Sequence, residues 1–169
     1  MHRLGAAAMA FALLTSAPLT ARSGEATAED IRVMALNMYH EARGEGEIGM
    51  LAVGWVVLNR MADKAYPSTV NQVVYQGCQF SWVCDGRSDR PREPRAWRKA
   101  LKLAAALLGG GSADPTRGAM WYHADWVADP GFGPRVSQVT RIGRHIFYGR
   151  ADRRLPPSEG GPRLLIASR

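Results

Sequence analysis

Residues Thr27 to Arg60 read TAEDIRVMALNMYHEARGEGEIGMLAVGWVVLNR, two helices separated by a glycine turn. Thr27 is a good N-cap, and Glu29 and Asp30 suit the positive end of a helix dipole. Ile31, Met34, Ala35, Met38 and Ala42 then recur at the spacing of one helical face. Gly44 and Gly46 break the pattern. The second helix is expected from about Ile48 to Lys64, ended by Tyr66-Pro67-Ser68. It is apolar almost all round (Met50, Leu51, Ala52, Val53, Trp55, Val56, Val57, Leu58), as a central core helix is.

Working outward, Thr69–Tyr75 suits either a short helix or a strand. The segment from Gly77 to about Pro94 is polar and turn-rich, with Asp85-Gly86 as a turn signal. A third helix is expected over Arg95–Leu108, stopped by Gly109-Gly110-Gly111. Two aromatic and β-branched runs, Ala119–Ala124 and Val139–Tyr148, read as strands. Helices followed by strands predict an α+β domain, mainly helical in its N-terminal part, with a small β-sheet from the C-terminal half.

Before Thr27, residues 1–23 have the form of a secretory signal peptide: Arg3, an apolar run from Leu4 to Leu14, then small residues at Ala21 and Ser23. That run is shorter than the roughly 20 apolar residues of a membrane span, and no other stretch approaches that length. The reading is therefore an exported chain without a transmembrane segment, with its domain at 24–149 and a flexible, Pro-, Gly- and Arg-rich basic tail at 150–169. The 169 residues leave room for one domain, and a monomer is expected. The formal net charge is +7, and loss of Arg3 and Arg22 with the leader lowers it by two. A basic exported protein fits an anionic envelope; the arginines form no nucleic-acid-binding motif, so no nucleic acid partner is expected.

Only two cysteines occur, Cys78 and Cys84. In an oxidising compartment this pair favours a disulfide stapling the Gln79–Val83 loop, contributing about 2–3 kcal/mol. Without a second ligand pair it is a poor zinc signature, and neither metal nor cofactor is expected.

Chemistry concentrates in Tyr39-His40-Glu41-Ala42-Arg43-Gly44-Glu45. At about 100° per residue, Glu41 falls roughly 80° from Ile31, at the edge of the apolar stripe. A carboxylate there is partly desolvated, which raises its pKa and suits a general acid. An ordinary helix-end glutamate paired with Arg43 is the competing reading. His40 falls roughly 180° from Ile31, on the expected solvent face, and H-E lacks the second histidine of a zinc peptidase motif. Gln79-Phe80-Ser81-Trp82, Tyr122-His123 and Trp126 combine amides and hydroxyls with aromatic faces, the groups that bind sugar rings. Trp55 and Trp97 are expected in the core; Trp82 and Trp126, in loop-like sequence, are expected to be exposed.

These strings in order resemble the SleB/CwlJ-type cell wall hydrolases. The resemblance is carried by Glu41-Ala42-Arg43-Gly44-Glu45, Ala52-Val53, Val57-Leu58-Asn59-Arg60, Tyr66-Pro67, Val73-Val74-Tyr75 and Cys78-Gln79-Phe80-Ser81-Trp82. It continues through Asp114-Pro115-Thr116-x-Gly118-Ala119, Tyr122-His123 and Ile142-Gly143-x-His145-x-Phe147-Tyr148. It implies a lysozyme-like domain that cuts peptidoglycan glycan strands as a lytic transglycosylase, with Glu41 as catalytic acid and then base. Glu45, Gln79, Phe80, Ser81, Trp82, Tyr122, His123 and Trp126 become candidate substrate-binding residues. The transglycosylase route needs one carboxylate, whereas a two-carboxylate hydrolase needs a partner, for which Glu45, Asp85, Asp114 and Asp125 are available. A non-catalytic peptidoglycan-binding protein of the same fold is the alternative. The chain departs from the family pattern at His40, where glycine is common, and at Phe132, where a tryptophan is expected.

Overall fold

The computed structural model describes residues 26–152; the leader expected at 1–23 and all but the first residues of the expected tail lie outside the described residues. Helix α1 spans Ala28–Ala42, and Thr27 closes a capping box with Asp30. Helix α2 spans Gly46–Met61, α3 Val70–Val74 and α4 Pro94–Leu108, with a single 3-10 turn at Ser81–Val83. Three strands follow, β1 Trp121–Ala124, β2 Val136–Ile142 and β3 His145–Arg150, forming an antiparallel sheet in the order β1-β3-β2.

The ambiguous Thr69–Tyr75 segment is helical because the Thr69 hydroxyl caps it, accepting from the Gln72 amide at 3.3 Å. The expected strand at Val139–Tyr148 is instead a hairpin. Gly143 and Arg144 form its two-residue loop, with Gly143 at φ +56°, the conformation such a turn requires. Arg150, assigned to the tail from sequence, ends β3 and pairs with Asp63 at 3.2 Å.

The main core joins α1, α2, α3 and α4, and α1 is more enclosed than one apolar stripe predicts. Every residue from Val33 to Tyr39 is buried, because α4 and α3 cover faces that α2 leaves open. Gly54 lets the helices approach closely: a Cβ there would meet Met38 Cε at 2.3 Å and Leu107 Cδ2 at 2.6 Å. A smaller cluster, Ala52, Val56, Ala119 and Phe147, fixes α2 to the sheet.

Two polar devices complete that junction. The Asn59 side-chain amide donates to Asp114 Oδ2 and to the Ala119 carbonyl, each at 3.0 Å. Arg60 Nε donates to the Met120 carbonyl at 2.8 Å. At the other end of α2, the Glu45 carboxylate accepts from the Arg144 amide at 2.9 Å, holding the β2–β3 loop. These contacts set β1 against the C-terminal end of α1.

Candidate active site

A cleft of about 570 Å³ opens between the last turn of α1, the 79–89 loop and the ends of β1 and β3. From α1 it receives His40, Glu41 and Arg43; from the loop, Gln79, Ser81, Trp82, Asp85, Arg87, Ser88 and Asp89. The sheet side contributes Tyr122, His123, Ala124, Trp126 and His145, and α2 contributes Arg60.

Glu41 is half-buried, and burial raises its pKa above the ordinary carboxylate value. Two neighbours oppose that shift: the Tyr122 hydroxyl, which donates to Glu41 Oε2 at 2.9 Å, and His40. Tyr122 itself is driven well above its usual range, first by burial and then by the adjacent carboxylate. The hydroxyl therefore stays protonated and orients the carboxyl group. Among the described residues no hydrogen bond reaches Oε1 of Glu41, so that oxygen is available to hold and deliver a proton.

Behind this pair lies Arg60, only 3% exposed. Its guanidinium stacks on Tyr66 and Phe80, with ring centroids 5.4 and 5.2 Å away. Burial lowers its pKa, while Tyr66 and Tyr122 favour its charge. Arg60 Nη1 and His145 Nδ1 are both buried without a hydrogen-bond partner in the structure. His145 packs edge-on against Tyr122 at 5.1 Å, and burial depresses its pKa. His123 Nδ1 meets the Ala124 carbonyl at 2.9 Å, and its Nε2 meets the Tyr148 hydroxyl at 2.9 Å. A carbonyl only accepts, so Nδ1 carries the proton and Nε2 accepts from Tyr148.

The residues nominated from sequence divide. Glu41, Gln79, Ser81, Trp82, Tyr122, His123 and Trp126 line the cleft together. Glu45 and Phe80 are not among the residues that line it. Glu45 is occupied by the β2–β3 loop, and Phe80 is 2% exposed beneath Arg60. Trp82 is 5% exposed rather than open to solvent: its indole N–H donates to Asn37 Oδ1 at 3.0 Å. Trp126 is 66% exposed, with Arg144 over its ring at 4.7 Å. Trp55 and Trp97 pack against the main core at intermediate exposure.

His40 is not on a solvent face. It stacks on Trp82 at 4.9 Å and 17°, and its Nε2 donates to the Asp89 carbonyl at 3.0 Å. The folded-back loop covers a helix face that periodicity leaves open. Phe132, at the position where a tryptophan is expected, packs on Tyr148 at 5.2 Å and His123 at 6.1 Å.

Of the possible second carboxylates, Asp114 accepts from Asn59, Thr116 and Gly118, and Asp125 pairs with Arg141 and Arg144. Only Asp85, together with Asp89, reaches the cleft. Arg60 and His145 entered the sequence reading solely as motif positions; burial, which no local pattern reveals, marks them out. Cys78 and Cys84 form a disulfide with Cα atoms 5.6 Å apart, closing the loop that carries Gln79, Ser81 and Trp82. Among the described residues no three His, Cys, Asp or Glu side chains assemble a metal site, and no helix is long and apolar enough to cross a membrane.

The sequence matches the cell wall hydrolase family over residues 44–148, a span that opens just past Glu41. It is 37% identical to a spore cortex-lytic enzyme of Halalkalibacterium halodurans over 118 residues, covering 70% of this chain and 34% of that protein. It is 32% identical to the cell wall hydrolase CwlJ of Bacillus subtilis over 127 residues, covering 73% of this chain and 87% of CwlJ. The chain thus spans about a third of the first relative's length and most of the second's. Among solved structures, the catalytic domain of Bacillus cereus SleB superposes with a TM-score of 0.60 at 30% identity, covering 74% of this chain and 93% of that one. The catalytic domain of SleB from Bacillus anthracis, a germination-specific lytic transglycosylase, gives a TM-score of 0.60 at 32% identity, covering 76% and 99%. The helices and small sheet are those of this lysozyme-like fold.

Proposed function

This chain belongs to the cell wall hydrolase family, and from that premise we propose that it is an exported enzyme cutting the glycosidic bond after N-acetylmuramic acid. The observation that carries the reading is the Glu41–Tyr122 pair: a desolvated carboxyl group, oriented by a hydroxyl, in a cleft bordered by aromatic rings.

In this mechanism protonated Glu41 delivers its proton to the glycosidic oxygen as the bond to the anomeric carbon breaks. The resulting carboxylate then removes a proton from the 6-hydroxyl of the same muramic acid. That oxygen bonds to the anomeric carbon and leaves a 1,6-anhydro end, with no water consumed. One carboxyl group suffices, in keeping with the engagement of Glu45, Asp114 and Asp125 in structural contacts. Trp126 and Tyr122 offer faces and edges for sugar rings, Trp82 backs the cleft beneath His40, and Gln79 and Ser81 offer hydrogen bonds. Arg60 acts as a positioning residue, its buried charge favouring the Tyr122–carboxylate contact after proton transfer.

Incubation of the purified protein with peptidoglycan, followed by mass spectrometry of the released muropeptides, tests the route. Anhydromuramic ends are expected. Reducing ends, together with loss of release in Asp85→Asn, would instead assign hydrolysis with Asp85 as the second carboxylate.

A further inference from the structure

Beside the cleft lies a second groove of about 270 Å³ between α1 and the 87–93 segment. Arg43, Arg87, Arg90 and Arg92 line it, and Glu93 is the sole carboxylate among its lining residues. Glu93 pairs with Arg43 at 2.7 Å; Arg87, Arg90 and Arg92 form no ion pair among the described residues. His40, Arg43, Arg87 and Ser88 border both hollows, so the groove opens directly off the cleft that holds Glu41.

The arginines are exposed, but the backbone that carries them is pinned to α1. The Tyr39 hydroxyl accepts from the amides of Arg92 and Glu93 at 3.0 and 3.1 Å, and His40 donates to the Asp89 carbonyl. Pro91 and Pro94 restrict the same segment. Four guanidinium groups are thereby gathered along one groove against a single carboxylate, an arrangement that an anionic ligand relieves.

With its lactyl groups amide-linked to peptides, a glycan backbone of N-acetylated sugars is uncharged and offers these cations no counterpart. The peptide stems that hang from its muramic acid lactyl groups carry free carboxylates, which guanidinium forks bind in bidentate fashion. We infer that the arginine groove binds the carboxylates of the stem peptide on the strand seated in the cleft. The inference rests on the glycan-cleaving reading above and adds a substrate preference to it.

Two substrates test it: peptidoglycan strands with intact stems, and the same strands stripped of stems by an amidase, with the lactyl carboxylates so released then converted to amides. The wild-type protein should process stem-bearing strands about tenfold more efficiently in kcat/KM, chiefly through KM. That ratio should shrink as salt is raised. Arg90→Gln/Arg92→Gln should bring it close to one, and Arg87→Gln, on the shared border, supplies an independent variant. A fluorescently labelled stem peptide should bind the wild-type protein by anisotropy, and its carboxyl-amidated form should not.

Equal efficiency on the two substrates, a ratio unchanged in the variants, or equal binding of the amidated peptide would overturn the inference. Cleavage of neither substrate would overturn the reading of the cleft, while peptide anisotropy would still report on the groove by itself.

Discussion

At Glu41 two environments meet in one side chain. Burial favours the protonated form, and the Tyr122 hydroxyl, donating at 2.9 Å, favours the carboxylate. Removing the hydroxyl in Tyr122→Phe therefore raises the pKa of Glu41 further. A general acid works while protonated, so the alkaline limb of the kcat/KM profile should move to higher pH. The rate should fall about tenfold with the lost hydrogen bond. A limb that stays in place or moves to lower pH would show that Tyr122 does not act on Glu41. The position of Glu41 was legible from helical spacing alone, because the edge of an apolar stripe is defined by local periodicity. His40 was not: its burial depends on Trp82 and the Asp89 carbonyl, 42 and 49 residues along the chain. The same holds for Glu45, whose partner is the Arg144 amide, 99 residues away.

The helices form where capping and periodicity agree, and the sequence places α1 and α4 to within a residue or two of their observed ends. The hairpin was missed because its loop is Gly143-Arg144 inside a run otherwise continuous with strand composition; the lone glycine was the signal. The 3-10 turn that buries Trp82 carries no periodic pattern of its own. Its position follows from the Cys78–Cys84 staple and from the Asn37 side chain that receives the indole N–H. Between helices, a close approach falls at Gly54 of α2, where an added methyl collides with Met38 and Leu107 from α1 and α4. Gly54→Ala should destabilise the fold by about 1–3 kcal/mol through overpacking, despite the better helix propensity of alanine. Thermal unfolding checks this; an unchanged or raised Tm would mean that the helices are less tightly fitted than the contacts imply.

Across the whole molecule, the helical core and the small sheet are joined by Asn59, Arg60 and Glu45, and the cleft lies along that junction. The basic charge also has a local form here, since four arginines gather in the groove that continues the cleft. A raised pKa at Glu41 links stability to the proposed chemistry. The folded state binds that proton more tightly than the unfolded chain does. Its contribution is therefore full below the unfolded value near 4.3 and is lost as pH rises through the higher folded value. At neutral pH Glu41 thus costs stability, and Glu41→Gln should unfold at or above the wild-type Tm. The most direct test of the account compares muropeptide release from peptidoglycan by wild type and Glu41→Gln at matched concentration, with Tm recorded for both. The account predicts release by wild type and its loss in the folded variant. Undiminished release by Glu41→Gln would contradict it.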